Sequence, residues 1–94
     1  MVGVFAILKI QEGSNKEFES AARLMEEAVK KNEPGNNYYN FYKGQDDTTY
    51  IVMERYNSQE DLDAHSQTEH MKTIGAEMGK YLSGAPEIKV FESL

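Results

Sequence analysis

From Val2 to Ile10 the chain is apolar on both of its alternating sets: Val2, Val4, Ala6, Leu8 and Ile10 on one, Phe5 and Ile7 on the other. A strand with one wet face alternates cleanly, whereas a strand covered on both faces need not. The pattern predicts a strand of the second kind. Gln11-Glu12-Gly13 turns the chain, and the period then changes. Phe18, Ala21, Ala22, Met25, Ala28 and Val29 recur at three- and four-residue intervals, on one face of a helix. Ser14 and Glu17 form a capping-box pattern at its start. Glu26 and Lys30 are spaced as an i,i+4 ion pair of the favoured polarity. Asn32-Glu33-Pro34-Gly35 ends the helix, because proline cannot continue it.

Tyr38 to Lys43 is aromatic-rich and predicts a second strand; the turn cluster Gly44-Gln45-Asp46-Asp47 predicts a hairpin into a third, Thr48 to Tyr56. Asn57 or Ser58 caps a second helical segment, with Asp61 as the box partner of Ser58 and with Leu62 and His65 facing inward. A further stretch, Met71 to Leu82, puts Ile74, Met78 and Tyr81 on one face. Gly75 and Gly79 weaken it by roughly 1 kcal/mol each relative to alanine. Ser83-Gly84-Ala85-Pro86 breaks it, and Glu87 to Glu92 is a last strand with Ile88, Val90 and Phe91. The order β-α-β-β-α-β predicts one α+β domain over residues 1–94, an antiparallel four-stranded sheet with its helices on one face. The opposite face is still apolar. A patch of that kind calls for a cover, and a second copy of the sheet related by a two-fold axis supplies one. The odd-numbered set, Met53 among it, is assigned to that interface.

Composition sharpens this picture. A chain of 94 residues buries only about 60–65% of the surface its unfolded form exposes, so its core is marginal. With no cysteine and two histidines, neither disulfides nor a structural zinc site can help. Oligomerisation remains, and a homodimer is expected. The net charge of −6 repels phosphate backbones and anionic membrane surfaces, so neither nucleic acid nor membrane is an expected partner. No apolar run approaches the roughly 18–20 residues of a membrane span. The first residues read as a strand rather than a signal peptide, which places the protein in the cytoplasm by expectation.

Chemistry concentrates in Leu62-Asp63-Ala64-His65-Ser66-Gln67-Thr68-Glu69-His70-Met71, which holds both histidines. Five residues apart on an unbroken helix, they would point about 140° away from each other. Thr68-Glu69 is a candidate break, with Thr68 as a new cap. Three readings stay open: structural rings, a substrate-site role for at least one, and metal binding. The aromatic set around Tyr38, Tyr39, Phe41, Tyr42, Tyr50 and Tyr56 serves core and interface, and tyrosines near a histidine also make an apolar pocket with a few polar handles. Glu54 shares a strand face with Tyr50, Val52 and Tyr56, buried or solvated. Phosphate loop, nucleophile elbow, and flavin and nicotinamide fingerprints are all missing.

In order along the chain come Glu33-Pro34-Gly35, then Tyr39 and Tyr42 three apart, Glu54-Arg55-Tyr56 (an acid, a variable residue and an aromatic), and Leu62-x-x-His65-x-x-Thr68-x-His70-Met71. In this ordered set, which covers nearly the whole chain, the sequence resembles the antibiotic-biosynthesis-monooxygenase family, including its small quinol monooxygenases. The resemblance implies a ferredoxin-like subunit in a dimeric α/β barrel. It implies oxidation of a small phenol or quinol by molecular oxygen as co-substrate, with no added cofactor and no metal. By the same resemblance His65 is the candidate catalytic base or hydrogen-bond partner, Tyr56 and Val52 line the substrate cavity, and Tyr39 and His70 are further substrate-binding candidates. Tyr56 stands where the family more often has tryptophan, which changes the cavity's shape. A haem-degrading branch uses an asparagine on the first strand and a histidine in the last helix; apolar residues and Gly75 hold those places here, which speaks against haem. Other relatives are isomerases, so a small-molecule binding protein or isomerase of the same fold is the alternative.

Overall fold

The computed structural model describes residues 1–94. Period-two segments form β1 (Val2–Lys9), β2 (Asn36–Lys43), β3 (Thr49–Tyr56) and β4 (Glu87–Glu92), and period-3.6 segments form α1 (Asn15–Asn32), α2 (Gln59–His65) and α3 (Glu69–Gly79). The strands make one antiparallel sheet in the order β2-β3-β1-β4. This is the expected ferredoxin-like α+β arrangement, with the second helical layer divided into α2 and α3 across Ser66 to Thr68.

Strand pleat decides which side the helices cover. Val2, Val4, Ala6 and Leu8 of β1 are buried, as are Tyr50, Val52 and Tyr56 of β3 and Tyr39 of β2. Register pairs Val4 with Glu54, Ala6 with Val52 and Leu8 with Tyr50, so these side chains share one face. Phe18, Ala21, Ala22, Met25 and Val29 of α1 pack on it, joined by Met78 of α3. Phe18 lies against Tyr50 with ring centroids 4.7 Å apart. Burying a side chain such as Phe18 or Val29 contributes about 1.5–3 kcal/mol. The odd-numbered sets of β1 and β3 face away from the helices together with the even-numbered set of β2, and Met53 and Tyr42 there are exposed in the single chain.

Three local expectations are corrected. Ser14 starts α1 through its backbone, accepting from the Phe18 N–H at 2.9 Å, but its hydroxyl makes no cap bond. At φ −95°, ψ 9° the residue is not extended as a capping serine usually is, so its oxygen is turned from the first-turn N–H groups. Glu26 does not pair with Lys30; its Oε2 accepts the Phe41 N–H at 2.7 Å, tying α1 to β2. The last helix stops at Gly79 rather than Leu82, because the chain turns there to make a bridge between Leu82 and Ile10. Ser58, by contrast, caps α2 as expected, its Oγ accepting from the Asp61 N–H at 3.2 Å.

Gly35 stands where α2 comes closest to the end of α1. A Cβ there would overlap the Asp61 carboxylate, which is itself bonded to Ser58 Oγ at 2.9 Å. Gly35→Ala should therefore cost about 1–3 kcal/mol through overpacking. Chemical denaturation checks this, with an unchanged midpoint counting against the close approach.

Candidate active site

Glu33 is the residue on which the site is built. It follows the last turn of α1 in extended conformation (φ −117°, ψ 91°), its N–H still bonded to the Val29 carbonyl. Pro34 stops the helix, and the Glu33 side chain turns inward to only 9% exposure. Its carboxylate then meets three donors. Oε1 accepts the Tyr56 hydroxyl at 2.9 Å; Oε2 accepts His65 Nδ1 at 2.8 Å and also His70 Nε2.

Two histidines five apart reach one carboxylate because the helix breaks between them. Thr68 caps α3, its Oγ1 accepting from the Met71 N–H at 3.3 Å and donating to the His65 carbonyl at 2.8 Å. His65 ends α2 and His70 lies in the first turn of α3, and both rings are buried. An ionised carboxylate can only accept. His65 therefore carries its proton on Nδ1, leaving Nε2 free for other work.

Nε2 approaches Glu54 Oε1 at 4.0 Å, and the Glu54 side chain is only 8% exposed. Burial, and then the charge of Glu33, push its pKa up to about 7. The Glu54 carboxyl makes no hydrogen bond within the fold. Burial first, then the charge of Glu54, raises the Tyr39 pKa; burial and then Glu33 raise that of Tyr56. Both phenols stay protonated and act as donors, not bases.

Between the sheet and the α2–α3 layer lies a cavity of about 380 Å³. Val4, Ala6 and Val52 line it from the sheet, Met71, Gly75 and Met78 from α3, and Ile88 and Val90 from β4. Its polar side chains are Tyr39, Glu54, Asp63, His65 and Ser66. Of the residues singled out from sequence, His65, Val52 and Tyr39 thus line one cavity. Tyr56 does not: it is fully buried behind the His65 ring, centroids 5.6 Å apart, held by Glu33. His70 opens instead on a separate surface depression with Asn32, Thr68, Glu69 and Thr73. The two histidines share a carboxylate and not a cavity.

Sequence reasoning missed Glu33 as a site residue, using it to mark a helix end and as one piece of the family pattern. No local pattern announces that such an acid turns inward, although its place beside Pro34 and Gly35 was visible. Glu54 was left undecided; its position in the buried alternation of β3 was the available signal. Glu33, His65 and His70 each offer a ligand atom within 4.8 Å of the others. The carboxylate already sits against both rings and Tyr56, so a cation there would have to displace those hydrogen bonds.

The fold and site together are those of a ferredoxin-like α+β protein with an apolar cavity and a carboxylate-held histidine. Residues 1–77 match the family model described as antibiotic biosynthesis monooxygenase, and the chain belongs to that family. The structure superposes on a candidate antibiotic biosynthesis monooxygenase from Caulobacter crescentus with a TM-score of 0.94 and 35% identity, covering 99% of this chain and 89% of that one. A second, from Nitrosomonas europaea, has a TM-score of 0.90 at 22% identity over 100% and 99% of the two chains. A Bacteroides thetaiotaomicron protein of unknown function, described as a possible oxidoreductase, has a TM-score of 0.88 at 17% identity over 98% and 96%. The last two show the fold alone. No curated protein matches the sequence. No helix is long and apolar enough to cross a membrane.

Glu54 makes stability pH-dependent. Its folded pKa of about 7 lies above the ordinary 4.5, so the native state holds a proton that the unfolded chain releases. The group costs nothing well below pH 4.5; the cost grows as pH rises from 4.5 through about 7 and levels off above that at roughly 3 kcal/mol. Glu54→Gln should accordingly stabilise the protein at pH 8 by an amount that vanishes near pH 4. Urea titrations at the two pH values check this, and an equal effect at both would refute it.

Proposed function

We propose that the protein is a cofactor-independent monooxygenase that oxidises a small hydroxylated aromatic, phenol or quinol, with molecular oxygen. The observation that carries this reading is His65, fixed through Nδ1 on Glu33 and offering Nε2 beside Glu54 in an apolar cavity. A hydroxyl oxygen about 2.8 Å from each atom fits between His65 Nε2 and Glu54 Oε1, donating its one hydrogen to Nε2 and accepting from Glu54 when that acid is protonated.

His65 Nε2 takes the proton of the substrate hydroxyl, and Glu33 stabilises the resulting imidazolium through Nδ1–H. The aromatic anion is the reductant. It passes one electron to oxygen, and the radical pair joins at a ring carbon that bears hydrogen, forming a carbon–oxygen bond. The imidazolium returns its proton to the peroxide. Loss of water from this hydroperoxide leaves a carbonyl, so that a phenol and O₂ become a quinone and H₂O. The apolar walls exclude bulk water and favour charge recombination at the site. Tyr39 supplies a hydroxyl donor for negative charge on oxygen. Tyr56 and His70 act through Glu33 as positioning residues.

Purified, metal-stripped protein should consume oxygen with hydroquinones or anthrone-like phenols faster than the spontaneous rate. His65→Ala should reduce that rate about 10²–10⁴-fold, the usual contribution of a positioned base. Unchanged turnover in the variant would remove the role given to His65. An isomerase or binding protein using the same cavity would bind ligand and consume no oxygen.

The same reading includes a two-fold homodimer through the sheet face that the helices leave bare. Phe5, Ile7, Tyr42, Ile51, Met53 and Phe91 lie there, and Tyr42, Met53 and Phe91 are exposed in the single chain. Light scattering should give twice the chain mass at micromolar concentration, and Met53→Lys should dissociate or unfold the protein. A monomeric parent protein would overturn the dimer.

A further inference from the structure

The charge of the cavity is as informative as its shape. No lysine or arginine lines it, whereas Glu54 lies deep in it and Asp63 lines it from the exposed side of α2. Glu54 is more than nine-tenths buried and has no hydrogen-bond partner within the fold. None of the wholly enclosed side-chain polar atoms of the protein lacks a partner. The unpartnered Glu54 oxygens are therefore reached from the cavity and offer their lone pairs to whatever enters.

A helix start could replace the missing cation, since free N–H groups there attract anions. Met71, which lines the cavity, belongs to such a start. Its N–H, however, is taken by Thr68 Oγ1, the Lys72 N–H is taken by the Thr68 carbonyl, and Glu69 places a further negative charge in that turn. His65 is the one polar group able to become cationic there, and its Nδ1 side is already matched by Glu33. A bound carboxylate, phosphate or sulfate would face Glu54 with no compensating charge.

We propose that Glu54 is a specificity-determining residue that restricts the cavity to neutral or cationic hydroxy-aromatics and rejects substrates carrying an acidic group. This rests on the reading of the cavity as the substrate site. A phosphorylated compound is rejected on the same ground, because Glu54 is part of the cavity lining. The hydroxyl of an accepted ligand lies between Glu54 and His65 and donates its one hydrogen to one of these two acceptors, and the remaining rings meet apolar walls. A positively charged substituent is tolerated because two carboxyl groups line the cavity.

The test is equilibrium binding by calorimetry at pH 8, without turnover, to the full chain. The probes are 2-naphthol, 6-hydroxy-2-naphthoic acid and 6-aminomethyl-2-naphthol, which share one ring system and differ in charge. The neutral and ammonium compounds should bind, and the carboxylate should bind at least about tenfold more weakly, a gap of about 1.4 kcal/mol. Glu54→Gln, isosteric and expected to fold, should narrow that gap to within about threefold, while Asp63→Asn should change it less. Equal binding of all three compounds would overturn the proposal, as would a gap unaltered by Glu54→Gln. Binding of none of them would overturn both the proposal and the aromatic substrate class. Discrimination without oxygen uptake would sink the oxygenase reading alone, whereas charge-blind binding with oxygen uptake would sink this proposal alone.

Discussion

One buried carboxylate holds this molecule's working parts together. Glu33 joins the end of α1 to Tyr56 at the end of β3, to His65 at the end of α2 and to His70 at the start of α3. Each of those groups would be costly to bury alone, because an unpaired polar group loses its water without compensation. Together they are satisfied. The break between α2 and α3, which looks like an irregularity, is what allows His65 and His70 to meet the same acceptor. Thr68 stabilises that break on both sides, accepting from α3 and donating to α2.

The same carboxylate sets the electrostatics further in. By accepting the Nδ1–H of His65 it settles which ring nitrogen faces the cavity, and by its charge it adds to the burial that keeps Glu54 partly protonated near neutral pH. Two acids thus hold opposite roles for physical reasons. Glu33, surrounded by donors, is an anchor. Glu54, with none, is available to a ligand. Such a division between similar groups is set by surroundings and not by residue type.

Much of the fold was legible because the two periods rarely conflict. The apolar spacing of Phe18 to Val29 could only be a helix, and the breaks at Pro34 and Pro86 fall where helix or strand must change. Which strand face meets the helices was not legible for β1, since Val2 to Ile10 is apolar on both sets; tertiary packing decides it. The capping box at Ser14 failed for a similar reason, as a backbone turn replaced the side-chain bond. At the site, His65, Tyr39 and Val52 could be named from family spacing, and Thr68 from the need for a break. Glu33 could not be, because its burial depends on where Tyr56 and two rings arrive from three other segments. Glu54 lay between: its parity along β3 was readable, but not the absence of a partner.

The last strand gives the architecture a further property. Every residue of β4 is exposed, and the strand is bonded only to β1, yet Ile88 and Val90 form one wall of the cavity. His65, another part of the lining, is held by the Glu33 cluster, which joins four elements. Local opening is easiest where few apolar contacts must be broken. The β4 side of the cavity is therefore the more easily deformed, and the side that bears His65 is the more firmly held. Substitutions along that edge of the sheet and substitutions around Glu33 at the end of α1 thus act on different parts of one cavity lining.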